Sequence, residues 1–345
     1  MQLDRVATQI VLDNLKSAIP SRRPAMVKEL RALADARSAS GRRISLVEFL
    51  QEAGLELEDV YRSGSWSSLQ REARLSVPAP GPSEALIGNR LAGILHVDDP
   101  LRLDAYERLA ASASVSVLSD ADRRLVTGFH FAVFPSKIAP KTLAESVALL
   151  HAHPAIVEEL CELLPILDER SEHLTYPLAL AQPAGSPLRI PLSVHARHTV
   201  DDVLTAFGIL DFDKTAWKQT GTIRDEPTNS DLFFVTLEKS EREYSPSTLY
   251  KDYAISPTLF HWESQSTTTQ KSKTGQRYIH HRSRGGNILL FVRPRKKQDG
   301  RTMPYTFLGA ADYVSHKGER PISFVWRLRR PMPADFFRQA KVASG

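Results

Sequence analysis

The sequence predicts an α+β chain: N-terminal helical modules followed by a C-terminal β-rich domain, built as a partly closed barrel or a sandwich. Three observations predict it. Apolar residues recur at helical spacing from the N-terminus to about Leu180. After Leu188 the pattern becomes short runs of β-branched and aromatic residues bounded by Gly, Pro and Asp. Two proline-rich stretches, Val77–Ser83 and Gln182–Pro187, read as linkers. The expected organisation is a small helical module (1–76), a linker (77–83), a helical scaffold domain (84–187) and a β-rich domain (188–345).

In chain order, Leu3, Val6, Ile10, Leu15 and Ile19 mark a first helix. Pro24 opens a second at its first turn, carrying Met26, Val27, Leu30 and Leu33. Ser38–Arg43 is a polar turn. Ser45 with Glu48 has capping-box spacing, and Gly54 ends that helix. Glu56–Tyr61 is a further short helix, and Ser65-Trp66-Ser67-Ser68-Leu69 starts the last one. The passage from Ile44 to Ala73 resembles the small helical repeats, with a Gly-Ser-Trp turn, that accompany homing endonucleases and some helicases. Either the last helix of such a unit touches DNA or Trp66 plugs its core; a large apolar indole favours the plug. In the middle domain Leu143, Val147 and Leu150 line one helix face, and Ile156, Leu160 and Leu163 line another. Asp98-Asp99-Pro100, Pro135, Pro140 and Pro154 punctuate this packing scaffold. In the last domain a helix over Asp201–Phe207 closes at Gly208. Strands are expected over 232–237, 259–265, 288–292, 305–309 and 322–328.

With 345 residues, 42% apolar and 25% charged, the chain is long enough for two or three domains and is not globally disordered. The single cysteine, Cys161 in an apolar helical pattern, excludes an intrachain disulfide and a four-cysteine zinc site. No long apolar run and no leader-like start at Met1 point to a cytoplasmic protein with no membrane partner.

Charge is distributed unevenly. From His261 to Arg301 ten Lys/Arg stand against Glu263 and Asp299, a surplus of eight, while the whole chain carries +5 and the remainder therefore −3. The stretch is expected to be two strands, Leu259–Gln265 and Ile288–Arg293, joined by a Ser/Thr/Lys/Gly loop as a hairpin. Basic residues interleaved with Trp262, Tyr278 and His280 suit a nucleic-acid-contacting face; a solvated rim is the alternative. Lys271, Lys273, Arg282, Arg284, Arg295, Lys296 and Lys297 would hold phosphates. Gln265, Arg277, His281 and Arg293 have the side chains to contact bases or backbone more specifically. Period-2 alternation sets Phe260, Trp262 and Ser264 on one face and His261, Glu263 and Gln265 on the other, so the polar trio is the expected contact set.

Other chemistries are weaker. His195-Ala196-Arg197-His198 and His280-His281 lack a carboxylate at fixed helical spacing for a metal site, and His151 and His153 are expected at the surface beside Pro154. Asp252 with Glu263-Ser264-Gln265 has the acids of a metal-dependent nuclease, but Gln265 stands where such sites carry lysine. Without that site, Asp252 caps a turn and Glu263 pairs with Arg277. No cofactor is expected.

Asp231-Leu232, Val235–Ser240, Tyr244-Ser245-Pro246, Tyr250–Ser256, Phe260–Gln265, Thr274–Tyr278, Leu290–Arg293 and Phe307-Leu308-Gly309 together resemble one uncharacterised domain family. It is the domain of unknown function that closes many bacterial DEAD/DEAH-box superfamily II helicases of restriction and phage-defence type. Those proteins often start with a phospholipase-D-like nuclease followed by two RecA-like motor lobes. The likeness is strongest over roughly 190–330, and the helical part before it resembles the region joining motor and C-terminal domain. A Gly-x-x-x-x-Gly-Lys-Ser/Thr loop, an Asp-Glu-x-Asp/His box and a His-x-Lys motif are absent; Lys273-Thr274-Gly275 has the wrong order. The resemblance implies DNA binding as an accessory part of such a system, without an ATPase of this chain's own. The partners expected are DNA and a superfamily II motor or nuclease subunit; the chain resembles a fragment, a split gene product or a partner subunit. Docking of a motor and the Asp252/Glu263 nuclease are the alternatives.

Overall fold

The computed structural model describes residues 22–37, 43–138, 140–171, 174–180, 190–216, 221–238, 252–298 and 300–344. The expected first helix, most of the Ser38–Arg43 turn, the Gln182–Pro187 linker and the matched strings Lys239-Ser240 and Tyr244–Pro246 lie outside them. The chain is α+β, and its contacts divide it into two units. No helix among the described residues is long and apolar enough to cross a membrane.

The first unit comprises Met1–Leu95, Val133–Ala139 and Ala148–Ile166. Its helices are α1 (Arg23–Arg37), α2 (Leu46–Ala53), α3 (Leu57–Val60), α4 (Trp66–Glu72) and α5 (Glu84–Gly88). Ser45 and Glu48 form the capping box of α2, and Gly54 closes it. Ser65 caps α4, whose first residue, Trp66, is fully buried with its indole stacked on Phe49 at 5.4 Å. Glu159, on the long helix that starts at Pro154, receives the backbone N–H groups of Trp66 (2.7 Å) and Ser67 (2.9 Å). Trp66 is thus a core plug. His153 is buried, not at the surface, because its Nδ1 donates to the Leu149 carbonyl at 2.7 Å. Cys161 is exposed on the same long helix.

The second unit comprises His96–Ala132, Pro140–Val147 and Leu167–Gly345. It holds α6 (Pro100–Ala111), α7 (Asp120–Val133), the start of α8 (Leu143–His151), α10 (Val200–Ala206), α11 (Lys273–Ile279) and α12 (Ala334–Ser344), while most of α9 (Pro154–Glu169) belongs to the first unit. Its strands are β1 (Tyr176–Pro177), β2 (Ser193–Val194), β3 (Arg197–His198), β4 (Thr222–Asp225), β5 (Ser230–Thr236), β6 (Tyr253–Ser256), β7 (Leu259–Glu263), β8 (Asn287–Arg293), β9 (Lys297–Gln298), β10 (Arg301–Thr302), β11 (Tyr305–Lys317) and β12 (Ser323–Leu328).

The main sheet runs β4-β5-β8-β11-β12-β7-β6, with β3 on β11, and is not closed into a barrel. The pair β5–β8 is parallel over seven residues, from Ser230 opposite Asn287 to Thr236 opposite Arg293, while its neighbours are antiparallel. Every residue of both strands is buried, since the sheet has a core on each face. On one side Phe233, Val235, Ile288, Leu290 and Val292 pack with Trp262, Phe324, Trp326, Tyr278 of α11 and Phe336 and Ala340 of α12. On the other Leu232, Phe234, Leu289 and Phe291 pack with Phe307, Val194 and Val203, Ala206 of α10. Gly309 bends the long β11: its φ is +86°, and an added Cβ would meet Val194 Cγ1 at 2.9 Å.

The expected hairpin does not form. Strands β7 and β8 are separated in the sheet by β11 and β12, and β7 pairs with β12 and β6 instead. A parallel β5–β8 pair needs a crossover, and the intervening chain supplies it by building the β6–β7 edge and returning through α11. Ser272 starts that helix by accepting from the Gly275 N–H at 3.1 Å. Gly275 is required because an added Cβ would strike the Thr269 carbonyl oxygen.

A buried ionic network joins α6 to the strand–helix passage at 193–202. Arg102, 1% exposed, donates to Asp99 Oδ2 (2.5 Å), Asp202 Oδ2 (3.3 Å), Asp98 Oδ1 (3.5 Å) and the Arg197 carbonyl (2.6 Å). His96 Nε2 reaches the same Asp202 oxygen at 2.8 Å. Asp202 also closes the capping box of α10 with Thr199.

Candidate nucleic-acid interface

Helix α11 and the 3-10 turn Arg282–Arg284 lead directly into β8, so the cations they carry gather where β5 and β8 begin. Lys271, Lys273, Arg282 and Arg284 are exposed, and none makes a salt bridge among the described residues. Behind them lies Asp231, whose side chain is only 3% exposed. Arg277 grips it with Nε (2.9 Å) and Nη2 (2.8 Å), and Arg224 of β4 adds Nη1 at 3.2 Å. Arg224 also donates to Asn229 Oδ1, while Asn229 Nδ2 donates to the Arg284 carbonyl at 2.9 Å. One carboxylate thus ties the helix, two strands and the turn before β8 into a fixed platform. The exposed cations project from that platform.

Arg277 pairs with Asp231, not with Glu263, because the crossover brings α11 back over β5. Gln265 reaches β4 at Thr222 Oγ1, 3.5 Å away. Thr222 and Arg224 stand two residues apart on β4 and share a face, so Gln265 and Arg277 meet the same edge without facing each other across a hairpin. Arg277→Ala would leave buried Asp231 with Arg224 alone; the expected loss is about 1–3 kcal/mol, read as a lower denaturation midpoint. An unchanged midpoint would remove the clamp from this platform.

Three of the expected contact residues lie inside the protein. His261 is buried and its ring stacks on Tyr253 at 4.5 Å. His281, 1% exposed, donates Nδ1–H to the Tyr278 carbonyl at 3.0 Å and packs edge-on against Trp326. Burial pushes its imidazole below the usual range, so it is neutral near pH 7. Arg293 is buried too, donating to Thr236 Oγ1 (3.0 Å) and the Met303 carbonyl (3.0 Å), with its guanidinium 4.2 Å from the Tyr305 ring. Trp262 and Tyr278 belong to the core, as the alternation placed Trp262.

Arg295, Lys296 and Lys297 sit past the other end of β8, at the β9–β10 hairpin. The seven residues of β8, at about 3.3 Å each, put them roughly 20 Å from the α11 group. Arg295 is exposed and pairs with Glu238 at 3.5 Å. The basic run of the sequence is therefore two patches rather than one.

Asp252 Oδ1 accepts the Glu263 backbone N–H at 2.9 Å, and Ser323 Oγ donates to the Glu263 carboxylate at 3.4 Å. His280 is exposed while His281 is buried, so the pair does not converge. No group of three His, Cys, Asp or Glu placed to hold a metal ion occurs among the described residues. The roles of Asp231, Arg224 and Asn229 are not read from the sequence, because they lie outside the basic run 261–301; the Asn229-Ser230-Asp231 turn-to-strand start is the available signal.

No curated protein matches the chain. Residues 192–340 match the family model described as "Domain of unknown function (DUF3427)", so the open sheet, α11 and the platform form a DUF3427 domain.

Proposed function

We propose that this chain is a cytoplasmic nucleic-acid-binding protein, with DNA as the expected ligand, and that the α11 platform is its primary phosphate-holding surface. One observation carries the reading: Lys271, Lys273, Arg282 and Arg284 are exposed with no salt-bridged carboxylate among the described residues, on backbone fixed by the Asp231 clamp. Cations locked into salt bridges would be a solvated rim; exposed cations outside salt bridges on a rigid support are what phosphate contacts use, although Glu226 lies within the field of Lys273 and Asp312 within that of Arg282. The resemblance to the closing domain of superfamily II restriction and defence helicases supplies the setting. In it, the chain binds DNA beside a motor subunit and does not turn over ATP itself.

Fluorescence anisotropy with labelled duplex and single-stranded DNA at several salt concentrations tests this. Lys273→Ala/Arg282→Ala/Arg284→Ala should flatten the slope of log K against log salt by about 2–3 units, at roughly 0.9 or 0.7 per phosphate contact for the two ligands. Arg295→Ala/Lys296→Ala/Lys297→Ala should have a smaller effect, because Arg295 already has Glu238. Unchanged affinity in the first variant would overturn the reading. Salt-insensitive capture of a motor subunit with no DNA affinity would favour a docking role.

A further inference from the structure

A cleft of about 610 Å³ opens in the second unit between α7, the start of α8 and the 205–214 passage after α10. Its size falls within the ~300–1,000 Å³ typical of small-ligand pockets. Four cations line it: Arg123, Arg124, Lys141 and Lys214, against the carboxylates of Asp211 and Asp213. The arginines are held by carbonyls, and neither makes a salt bridge among the described residues. Arg124 Nη1 donates to Ala206 O at 2.9 Å, and Arg123 donates to Leu118 O and Val115 O at 3.3 Å each. Each guanidinium has five N–H groups, so donors remain for a ligand. Lys141 and Lys214 are exposed at the rim.

The wall beneath is apolar and aromatic. Phe212 is half-buried on a tight turn closed by paired backbone bonds between Asp211 and Lys214, at 3.2 and 3.1 Å. Its ring lies 4.5 Å from His130 and 6.1 Å from Phe131, which hold its position. A cleft with cations at the rim and a fixed aromatic wall suits an anion that carries a flat ring.

We propose that this cleft binds a nucleoside phosphate, the cations taking the phosphate and Phe212 lying against the base. The ligand is either a free nucleotide or an unpaired nucleotide of a nucleic-acid strand. The site goes beyond the α11 surface and shares no cation with it. Pro227 connects the two: it lines the cleft, and its turn carries Asn229, which binds the Arg284 carbonyl.

The test uses the full chain. Titration calorimetry with ADP, adenosine and pyrophosphate reads the free-nucleotide source. Anisotropy with a 5′-phosphorylated overhang against a blunt duplex reads the strand source. ADP binding tighter than both adenosine and pyrophosphate, weakened at least tenfold in Lys141→Glu/Lys214→Glu, supports a free nucleotide. Silence with ADP, together with an overhang preference that the same variant abolishes, supports a strand. Lys141→Ala/Lys214→Ala should show a partial loss at unchanged melting temperature, which separates binding from folding. Absence of both ADP binding and overhang preference overturns the proposal, as does either one surviving the charge reversal. Because the α11 cations are intact in these variants, loss of blunt-duplex binding after their removal judges that surface separately.

Discussion

Arg102→Met is expected to destabilise the second unit by about 3–5 kcal/mol, the cost of breaking a buried ion pair from one side. The side chains of Asp98, Asp99 and Asp202 are 2%, 1% and 6% exposed, and Asp99 would keep a charge that neither water nor a salt-bridged cation compensates. The Arg197 carbonyl would lose its donor as well. Arg197 would remain on Asp98 at 2.8 Å and His96 beside Asp202 at 2.8 Å, so Asp99 is the carboxylate most affected. At about 2–4 °C per kcal/mol for a unit of this size, the melting temperature should fall by roughly 10 °C. An exposed control, Lys297→Met, should stay within about 0.5 kcal/mol. A fall of less than 2 °C for Arg102→Met would show that the network relaxes or admits water, and that α6 is not held through it.

Much of the local grammar of this fold is legible in the sequence. Ser45, Glu48 and Gly54 bound a helix through backbone bonding within a few residues, and the five expected strands contain the right apolar runs. Pairing was not legible. Strands β5 and β8 are buried on both faces, so they carry no alternation that could fix a face or a partner. The Thr-Gln-Lys-Ser-Lys-Thr-Gly stretch has loop composition, yet Ser272 caps a helix because the crossover needs one there. Charge misled for a related reason. Arg293 has the side chain of a base- or backbone-contacting residue, yet period-2 spacing puts it on the face of Leu289 and Phe291, in the core that includes Tyr305. Arg102 went unnoticed because Asp202, one of its partners, is a hundred positions away. Seen on the sheet, the same residues divide by task. The buried arginines hold elements together, while Arg282 and Arg284 before β8 are exposed and make no salt bridge among the described residues.

Two histidines make the fold sensitive to mild acid, before the carboxylates respond. His130 is 2% exposed, with Nδ1 2.9 Å from Ser146 Oγ, and burial pushes its imidazole down to about 4. His198 is 1% exposed and bonds the Ser193 carbonyl at 3.3 Å; burial, with the Arg102 charge adding to it, also lowers it to about 4. Unfolded, both would titrate near 6.5. Between pH 6.5 and 4 the unfolded chain therefore binds protons that the native protein refuses, and stability falls as pH falls. The contribution is complete above about 6.5. Burial opposes ionisation of Asp99 and Asp202, but Arg102 and His96 respectively outweigh it and hold both carboxyls below their usual range. Their contribution is therefore lost only below about pH 4. Urea midpoints at pH 7.5 and 5.0 should differ by an amount worth on the order of a few kcal/mol, since each tenfold change in proton affinity is worth about 1.36 kcal/mol. His130→Gln keeps a polar partner for Ser146 but cannot titrate, so its midpoint should depend less on pH even where its absolute stability is lower. Equal midpoints at the two pH values would mean that both imidazoles are protonated in place and that the burial seen here does not exclude the charge.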